Sequence, residues 1–399
     1  MTDDRKPDDL FRLARKDFPA WLEQLDKCVD STLIPGEARI TDEATIPDDL
    51  AQHLKDFGLF GMTIPERYGG LALGMVEQCQ ATISVTRASS VYRARFSTTV
   101  GLSAQAILLN GTPEQCDAYL PKLARGTWTS AFALTEENAG SDATNVETTA
   151  RRDGNGYVLN GTKRYITNAN IADVMVVMAR TDDSKRGADG ISAFLVERGT
   201  PGLSVGAVDK KMGQTGAPTA QVFFKDCRVP GSALLGGVEG HGFKNAMGGI
   251  NTARLHVAST CVGQAERLTR EALAYAMQRK QFGKTIVEHQ SVANMLADCR
   301  TETYAARAMV MDVARRFSHP PTPEVAADIA SAKYFASEMV CRVADRAVQI
   351  LGGQGYLASH PIERLYRDVR LFRLFEGTSQ IQQMVIARAM VREAGGKRE

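Results

Sequence analysis

The chain has 399 residues, enough to bury a large core in two or three structural units, which excludes a small binding module. With 48 basic against 46 acidic side chains and 44% hydrophobic residues, the balance gives no general reason to expect nucleic acid or membrane partners. Cys28, Cys79, Cys116, Cys227, Cys261, Cys299 and Cys341 stand singly with no C-x-x-C pair, the spacing of reduced thiols in a cytoplasmic compartment. The opening MTDDRKPDDLFRLARKDF has no apolar h-region, so no secretory signal is expected, although a mature organellar chain reads the same way after processing. No apolar run approaches the length of a membrane span.

Residues 1–130 read as a helical unit. Apolar positions recur at helical spacing in DDLFRLARKDFPAWLEQLDKCVD and PDDLAQHLKDFGLF, and the turn PERYGG at 65–70 separates them from the next helices. Thr112-Pro113-Glu114 supplies a threonine cap and a first-turn proline for a helix holding Tyr119 and Leu120, which ends near Gly126. From 131 to 240 the period changes. GYVLNGTKRYITN, ADVMVVMAR, ISAFLVERG, LSVGAV and AQVFFKDCRVP are rich in valine, isoleucine and aromatics and are separated by glycine, asparagine and aspartate, which predicts a small, mainly antiparallel β-domain. Residues 241–399 turn helical again, with segments near 245–281, 290–317, 322–351 and 379–393 whose lengths suit a bundle. The fold class is therefore α+β: a helical N-terminal domain, a central β-domain and a C-terminal helical bundle.

Several positions are candidates for chemistry. Glu376 is followed at once by Gly377 and then by a helix starting near Thr378. Leu371, Phe372, Leu374 and Phe375 before it suggest an apolar surround, a setting in which a carboxylate can take a weakly acidic proton. A solvated glutamate capping that helix explains the same letters. Thr135 with Gly140-Ser141-Asp142 offers hydroxyl and backbone donors of the kind phosphate oxygens need, and equally an ordinary turn. Tyr165 can stack on a planar ring and Thr167 can donate to it; a packed tyrosine and a turn threonine is the plainer reading. Arg279 can grip a pyrophosphate with two hydrogen bonds while Phe282 packs on a base, and a helix end explains Arg279 as well. Gly352 and Gly353 after Gln349 let the backbone approach a ligand at a helix end, but without the strand that a dinucleotide-binding fingerprint requires. The six histidines form no H-x-x-x-H pair, so no metal site is expected, and no G-x-S-x-G nucleophile elbow occurs.

Taken in order, FALTEENAGSD at 132–142, LNGTKRYITNA at 159–169, KKMG at 210–213, FFKDCRVP at 223–230, RKQFG at 279–283, QILGGQGY at 349–356 and FEGTSQIQ at 375–382 resemble the acyl-CoA dehydrogenase family across nearly the whole chain. That resemblance implies FAD, with Thr135 at the flavin end, Ser141 at the pyrophosphate, Tyr165 and Thr167 beside the isoalloxazine, and Thr378 with Gln380 in a further contact. It implies that Arg279, Phe282, Gln349, Gly352 and Gly353 reach FAD held mainly by a neighbouring subunit, hence a homodimer or homotetramer. Tyr165 stands where the family commonly has tryptophan, and Glu137 where it commonly has proline.

The implied reaction is α,β-dehydrogenation of an acyl-CoA thioester. Glu376 takes the α-proton, hydride passes from the β-carbon to flavin N5, and the thioester carbonyl is held by the Glu376 backbone N–H and a ribityl hydroxyl, with Gly377 leaving room for it. Some relatives carry the base just before the arginine of the motif represented here by Asn251-Thr252-Ala253-Arg254; Ala253 cannot serve, which leaves Glu376. Asn251 and Arg254 are expected to meet the CoA portion or to order the active-site helices, and Ser97, Thr98 and Thr99 either shape the acyl end or bond their hydroxyls to backbone carbonyls. An electron-transferring flavoprotein is the implied partner. Alternatives are enoyl-CoA reduction, a flavin oxidase or monooxygenase on the same scaffold, and a non-catalytic CoA-binding protein.

Overall fold

The computed structural model describes residues 7–185 and 187–395, with the backbone alone at 245–247. Its first layer is helical: α1 (Pro7–Lys16), α2 (Phe18–Cys28), α3 (Glu37–Glu43), α4 (Asp48–Asp56), α5 (Met75–Val85), α6 (Ser90–Ser97), α7 (Ala104–Asn110) and α8 (Pro113–Ala124). Local chemistry sets several ends. Asp17 caps α2 by accepting from the Ala20 N–H at 3.1 Å, and Thr112 with Gln115 closes a reciprocal capping box on α8, whose chain then turns at left-handed Gly126. Trp21, Leu25, Phe57, Phe60, Tyr92 and Phe96 fill the core between these helices.

One π-helical segment, Thr98–Ser103, joins α6 to α7 without a break. Thr98 Oγ1 donates to the Ser130 carbonyl at 2.8 Å, Thr99 Oγ1 meets Ser130 Oγ at 2.9 Å, and Ser103 Oγ donates to the Ala131 carbonyl at 3.3 Å. Thr98 and Thr99 thus fasten the helical layer to the sheet, Thr98 through a backbone carbonyl and Thr99 through a hydroxyl.

The sheet contains β1 (Ser130–Ala133), β2 (Thr149–Asp153), β3 (Gly156–Thr167), β4 (Val174–Arg180), β5 (Ile191–Glu197), β6 (Leu203–Val208) and β7 (Thr219–Pro230). Its order is β1-β4-β2-β3-β7-β6, with β5 on the other side of β4. Pairing is antiparallel for β2–β3, β3–β7, β4–β5 and β6–β7, and parallel for β1–β4 and for the single pair Thr149 with Arg180. The five expected strands are β3 to β7. Two further strands were not expected: β1, a four-residue run too short to show a period, and β2, whose TARRD carries three charged, exposed positions in succession.

Beyond the sheet the chain runs through α9 (Gly242–Gln278), a hairpin of β8 (Lys280–Gln281) and β9 (Lys284–Thr285), α10 (Gln290–Arg316), α11 (Pro323–Leu351), α12 (Pro361–Val369) and α13 (Ser379–Glu393). Leu255, Val262 and Leu268 of α9 pack with Val310 of α10 and Ile329, Met339 and Val343 of α11 in one core. The unforeseen α12 ties the bundle back to the first layer, since Arg364 pairs with Glu37 of α3. Small residues let α9 lie close on the π-helical segment: a Cβ on Gly101 would sit 3.2 Å from that of Ala253. Among the described residues, no disulfide links the cysteines, no cluster suits a metal ion, and no helix is long and apolar enough to cross a membrane.

Candidate active site

The chain between the 3₁₀ turn Arg370–Arg373 and α13 reverses at two successive left-handed residues, Glu376 (φ 52°) and Gly377 (φ 89°). A glutamate in that region is uncommon and persists where its surroundings hold it. Here the holding groups are clear. Lys333 Nζ, from buried α11, donates to the Gly377 carbonyl at 2.7 Å, and Gln382 Nε2 donates to the same carbonyl at 3.0 Å and to that of Glu376 at 3.3 Å. Arg254 Nε reaches the Glu376 carbonyl at 3.4 Å while its Nη1 lies 3.4 Å from Asn251 Oδ1. Gly377 needs glycine for its φ, and a Cβ there would also displace Gln382 Nε2, 2.5 Å away, from the two carbonyls it bonds. Both carbonyls are engaged from the bundle side, whereas the Glu376 N–H donates to no described residue.

Glu376 is neither solvated nor the helix cap. Its side chain is 12% exposed, and Thr378 caps α13 by accepting from the Ile381 N–H at 3.2 Å. Its neighbours in sequence point in several directions. Phe372 turns into the core against Phe375, Leu374 faces solvent, and Arg93 of α6 brings Nη2 to 3.7 Å from Glu376 Oε1. Alternating short helical turns and one reversal send successive side chains in different directions. Burial pulls the Lys333 ammonium down to about 8 against the attraction of Cys261 and Glu376, and burial lowers Arg93 and Arg254 against Glu376. His256 of α9, pushed down to about 3 by burial and by the Arg93 charge, is neutral near pH 7 and bonds Gln78 at 3.0 Å.

Arg93, Lys333 and Gln382 escaped the sequence analysis. The available signal was weak: a lysine and an arginine inside otherwise apolar helical faces, in YRARF and ASAKYF. Ala253 is buried against Gly101, with no carboxylate at that alternative position.

A second group lies along the end of β3. Register shifts between Lys163 and Ile166 in the β3–β7 ladder raise Tyr165, at φ 56°, out of the sheet. Its ring is 61% exposed, with the Arg164 guanidinium 5.1 Å from the centroid. The Thr135 carbonyl accepts from the Arg164 N–H at 2.8 Å, which brings Thr135 beside Tyr165, and Thr167 pairs with Thr219. The loop carrying exposed Ser141 is pinned by buried Glu136, another residue the sequence analysis missed. Glu136 accepts from Lys163 Nζ at 2.6 Å, from the Glu147 and Thr148 N–H groups at 2.6 and 3.1 Å, and from Thr148 Oγ1 at 2.5 Å. Glu137, where the family commonly has proline, pairs with Arg164 at 3.3 Å.

A third group is exposed on the surface. Arg279 ends α9; Phe282, at φ 51° on the tip of the β8–β9 hairpin, is 94% exposed. Gln349 is exposed on the last turn of α11, and a Cβ on Gly352 or Gly353 would meet nothing within 4 Å. Gln380 is exposed on the first turn of α13.

Family models now decide the frame: those for the N-terminal, middle and C-terminal domains of acyl-CoA dehydrogenase match residues 17–127, 131–227 and 240–391. The chain belongs to the acyl-CoA dehydrogenase family. It is 40% identical over 389 residues to the acryloyl-CoA reductase (NADH) of Anaerotignum propionicum, covering 96% of this chain and 98% of that one. It is 39% identical to the CarC subunit of the caffeyl-CoA reductase-Etf complex of Acetobacterium woodii, covering 89% and 92%. The butyryl-CoA dehydrogenase structure from Megasphaera elsdenii superposes with a TM-score of 0.88 at 34% identity, covering 98% of this chain and 99% of that one. This acyl-CoA dehydrogenase family member is an FAD-dependent oxidoreductase acting on an acyl thioester. The residues present fit that cofactor: an exposed aromatic raised on a bulge beside Thr135 and Thr167, hydroxyl and glycine donors at 140–141, and an exposed phenylalanine and paired glycines on outer surfaces.

Proposed function

We propose that the protein catalyses α,β-dehydrogenation of an acyl-CoA, with Glu376 as the base. One observation carries the reading: a shielded carboxylate and an unengaged backbone N–H belong to the same residue, on a loop whose two carbonyls are tied down behind it. A thioester carbonyl accepting from that N–H would have its α-carbon next to the carboxylate. The N–H then stabilises charge building on the oxygen as the α-proton leaves, an arrangement worth about 3 kcal/mol per donor in other oxyanion sites. Lys333, Gln382 and Arg254 hold the loop in the two left-handed conformations this requires. Bound FAD, held by Thr135, Ser141, Tyr165, Thr167, Thr378 and Gln380, supplies at flavin N5 the acceptor for the hydride that leaves the β-carbon.

Arg279, Phe282, Gln349, Gly352 and Gly353, all exposed, complete a neighbour's FAD site in this reading, so the smallest FAD-competent assembly is a dimer, paired again into a tetramer. Sedimentation at low concentration, followed with bound flavin, tests this; a monomer with full FAD occupancy overturns it. An electron-transferring flavoprotein is the electron partner, a reading supported by the Etf complex to which the Acetobacterium relative belongs.

Enoyl-CoA reduction is the second reading, favoured by three reductases among the relatives, the two named above and the 3-(aryl)acrylate reductase of Clostridium sporogenes. It uses the same groups with Glu376 returning the proton. Anaerobic absorbance separates the readings: a yellow enzyme that bleaches with saturated acyl-CoA and recolours with an oxidised electron acceptor is a dehydrogenase. An enzyme that stays yellow with every saturated thioester, yet recolours from the chemically reduced state with an enoyl-CoA, is a reductase. Peroxide formed in air would mark an oxidase, and a colourless protein unable to take up FAD would overturn both readings.

A further inference from the structure

We infer that Arg164 and Glu137 set the electron affinity of the flavin: the guanidinium stacked on Tyr165 favours the reduced ring, and the Glu137 carboxylate opposes it. The inference rests on the placement of FAD at Tyr165 proposed above. Arg164 Cζ stands 5.1 Å over the centre of the Tyr165 ring, which is 61% exposed. In the other four cation–aromatic stacks among the described residues, such as Arg152 on Tyr157 and Arg125 on Phe11, the ring is buried or half-buried. Those stacks are closed. At Tyr165 the aromatic ring that carries the cation keeps surface open to a second planar group.

The arrangement is held in place from both sides. Tyr165 takes φ 56°, a costly region for an aromatic residue, at the register shift between Lys163 and Ile166. Before it, the Arg164 N–H donates to the Thr135 carbonyl at 2.8 Å; after it, Ile166 pairs again with Ala220. Along the Arg164 side chain, Nε lies 3.3 Å from Glu137 Oε2, and the two side chains are 27% and 76% exposed. The cation is therefore the sheltered partner, and solvent and salt screen the carboxylate more. Asp209 also attracts the guanidinium, but its Oδ2 already accepts from Thr219 Oγ1 at 2.8 Å. Lys163, the next residue along β3, is neutralised by Glu136.

A hydride carries two electrons and one proton, so its transfer oxidises the thioester by two electrons and leaves the flavin ring with one more negative charge. A guanidinium, charged at every working pH, stabilises that charged form more than the neutral oxidised one. A unit charge one aromatic layer away moves such an equilibrium by about tenfold. Arg164 thus pulls toward hydride acceptance, the direction of dehydrogenation. Glu137 pulls toward hydride donation, and the balance between the two charges biases the direction in which the same site runs.

The test is a spectroelectrochemical titration of FAD-loaded enzyme against a reference dye, with no thioester present. At a fixed potential, Arg164→Gln should shift the ratio of reduced to oxidised flavin about tenfold toward oxidised, about 30 mV for a two-electron couple. Arg164→Lys should recover part of that shift, and Glu137→Gln should move the ratio about threefold the other way, less because its charge is more solvated. A pair that only fastened the loop would change melting temperature and FAD affinity in both variants, without potentials of opposite sign. Equal potentials in the native, Arg164→Gln and Glu137→Gln enzymes, or shifts of the same sign in both variants, would overturn the inference and leave the placement of FAD standing. The placement has its own check: Tyr165→Ala should weaken FAD binding to the apoprotein and move the flavin absorbance band, and a variant showing neither change would overturn the placement and the inference together.

Discussion

Lys163 and Arg93 are both buried cations facing a glutamate, and the difference between them separates structure from chemistry in this molecule. The Lys163–Glu136 pair is closed, with side chains 0% and 3% exposed, an ion-pair distance of 2.6 Å, and two backbone N–H groups and a hydroxyl completing the carboxylate. Arg93 and Glu376 stand 3.7 Å apart with one buried atom unpartnered on each side. A saturated pair can only hold β3 to the loop at 135–148. An unsaturated one retains hydrogen-bonding capacity for something that comes and goes.

The largest expected effect is on rate at the open pair. Glu376→Gln keeps shape and backbone N–H, so FAD and acyl-CoA still bind, but substrate-dependent flavin reduction falls by roughly 10²–10⁴-fold. Rapid-mixing absorbance under anaerobic conditions resolves binding from this step, and a normal reduction rate would remove Glu376 from its role.

At the closed pair the effect is on stability instead. Lys163→Met leaves a buried carboxylate uncompensated and should cost about 3–5 kcal/mol, much of it recovered in the double variant Glu136→Gln/Lys163→Met. Chemical denaturation checks this; single and double variants of equal stability would show that the pair holds nothing. Arg93→Gln, by contrast, breaks no hydrogen bond and should leave the melting temperature unchanged or raise it.

Between these lies Gly377→Ala, which forces a side chain into the left-handed region and against Gln382. A loss of about 1–2 kcal/mol is expected from the backbone alone, together with reduced flavin-reduction rate as the Glu376 N–H shifts. A variant with native stability and native rate would mean that the loop does not need its two left-handed residues.

The smallest effect is one of pH. Burial pushes the Glu136 carboxyl up, but Lys163, Thr148 and the Glu147 N–H outweigh it, and the net direction is below the ordinary 4.5. Burial draws Lys163 down to about 8 against Glu136, so both groups are charged near pH 7. A carboxyl lowered on folding contributes stability that is full above its unfolded value and is lost as pH falls through the folded one. The melting temperature of the native protein should therefore drop more steeply below about pH 4.5 than that of Glu136→Gln. Parallel profiles would count against an ionised Glu136 in the fold.

How much of this was legible follows from the range of the signals. The helical, β, helical order appears in the letters because periods of 3.6 and 2 are local, and so does the Thr112 cap of α8, which depends on three neighbouring residues. The motif FEGTSQIQ likewise singled out Glu376, Gly377 and Thr378. β1 and β2 were hidden because one is too short and the other too charged to alternate, and their place in the sheet is decided by distant partners, β4 for β1 and chiefly β3 for β2.

By itself the sequence determined the order of the units, the family resemblance, and the identity of the loop that carries the candidate base. Only the tertiary structure decided what faces that base. Arg93 comes from α6, Arg254 from α9, Lys333 from α11 and Gln382 from α13, and no local period specifies which helix meets which. The apolar letters before Glu376 pointed to an apolar wall. Packing also set cations around the loop, because the direction of a side chain at a chain reversal depends on the elements that clamp it, and those lie far away in the sequence.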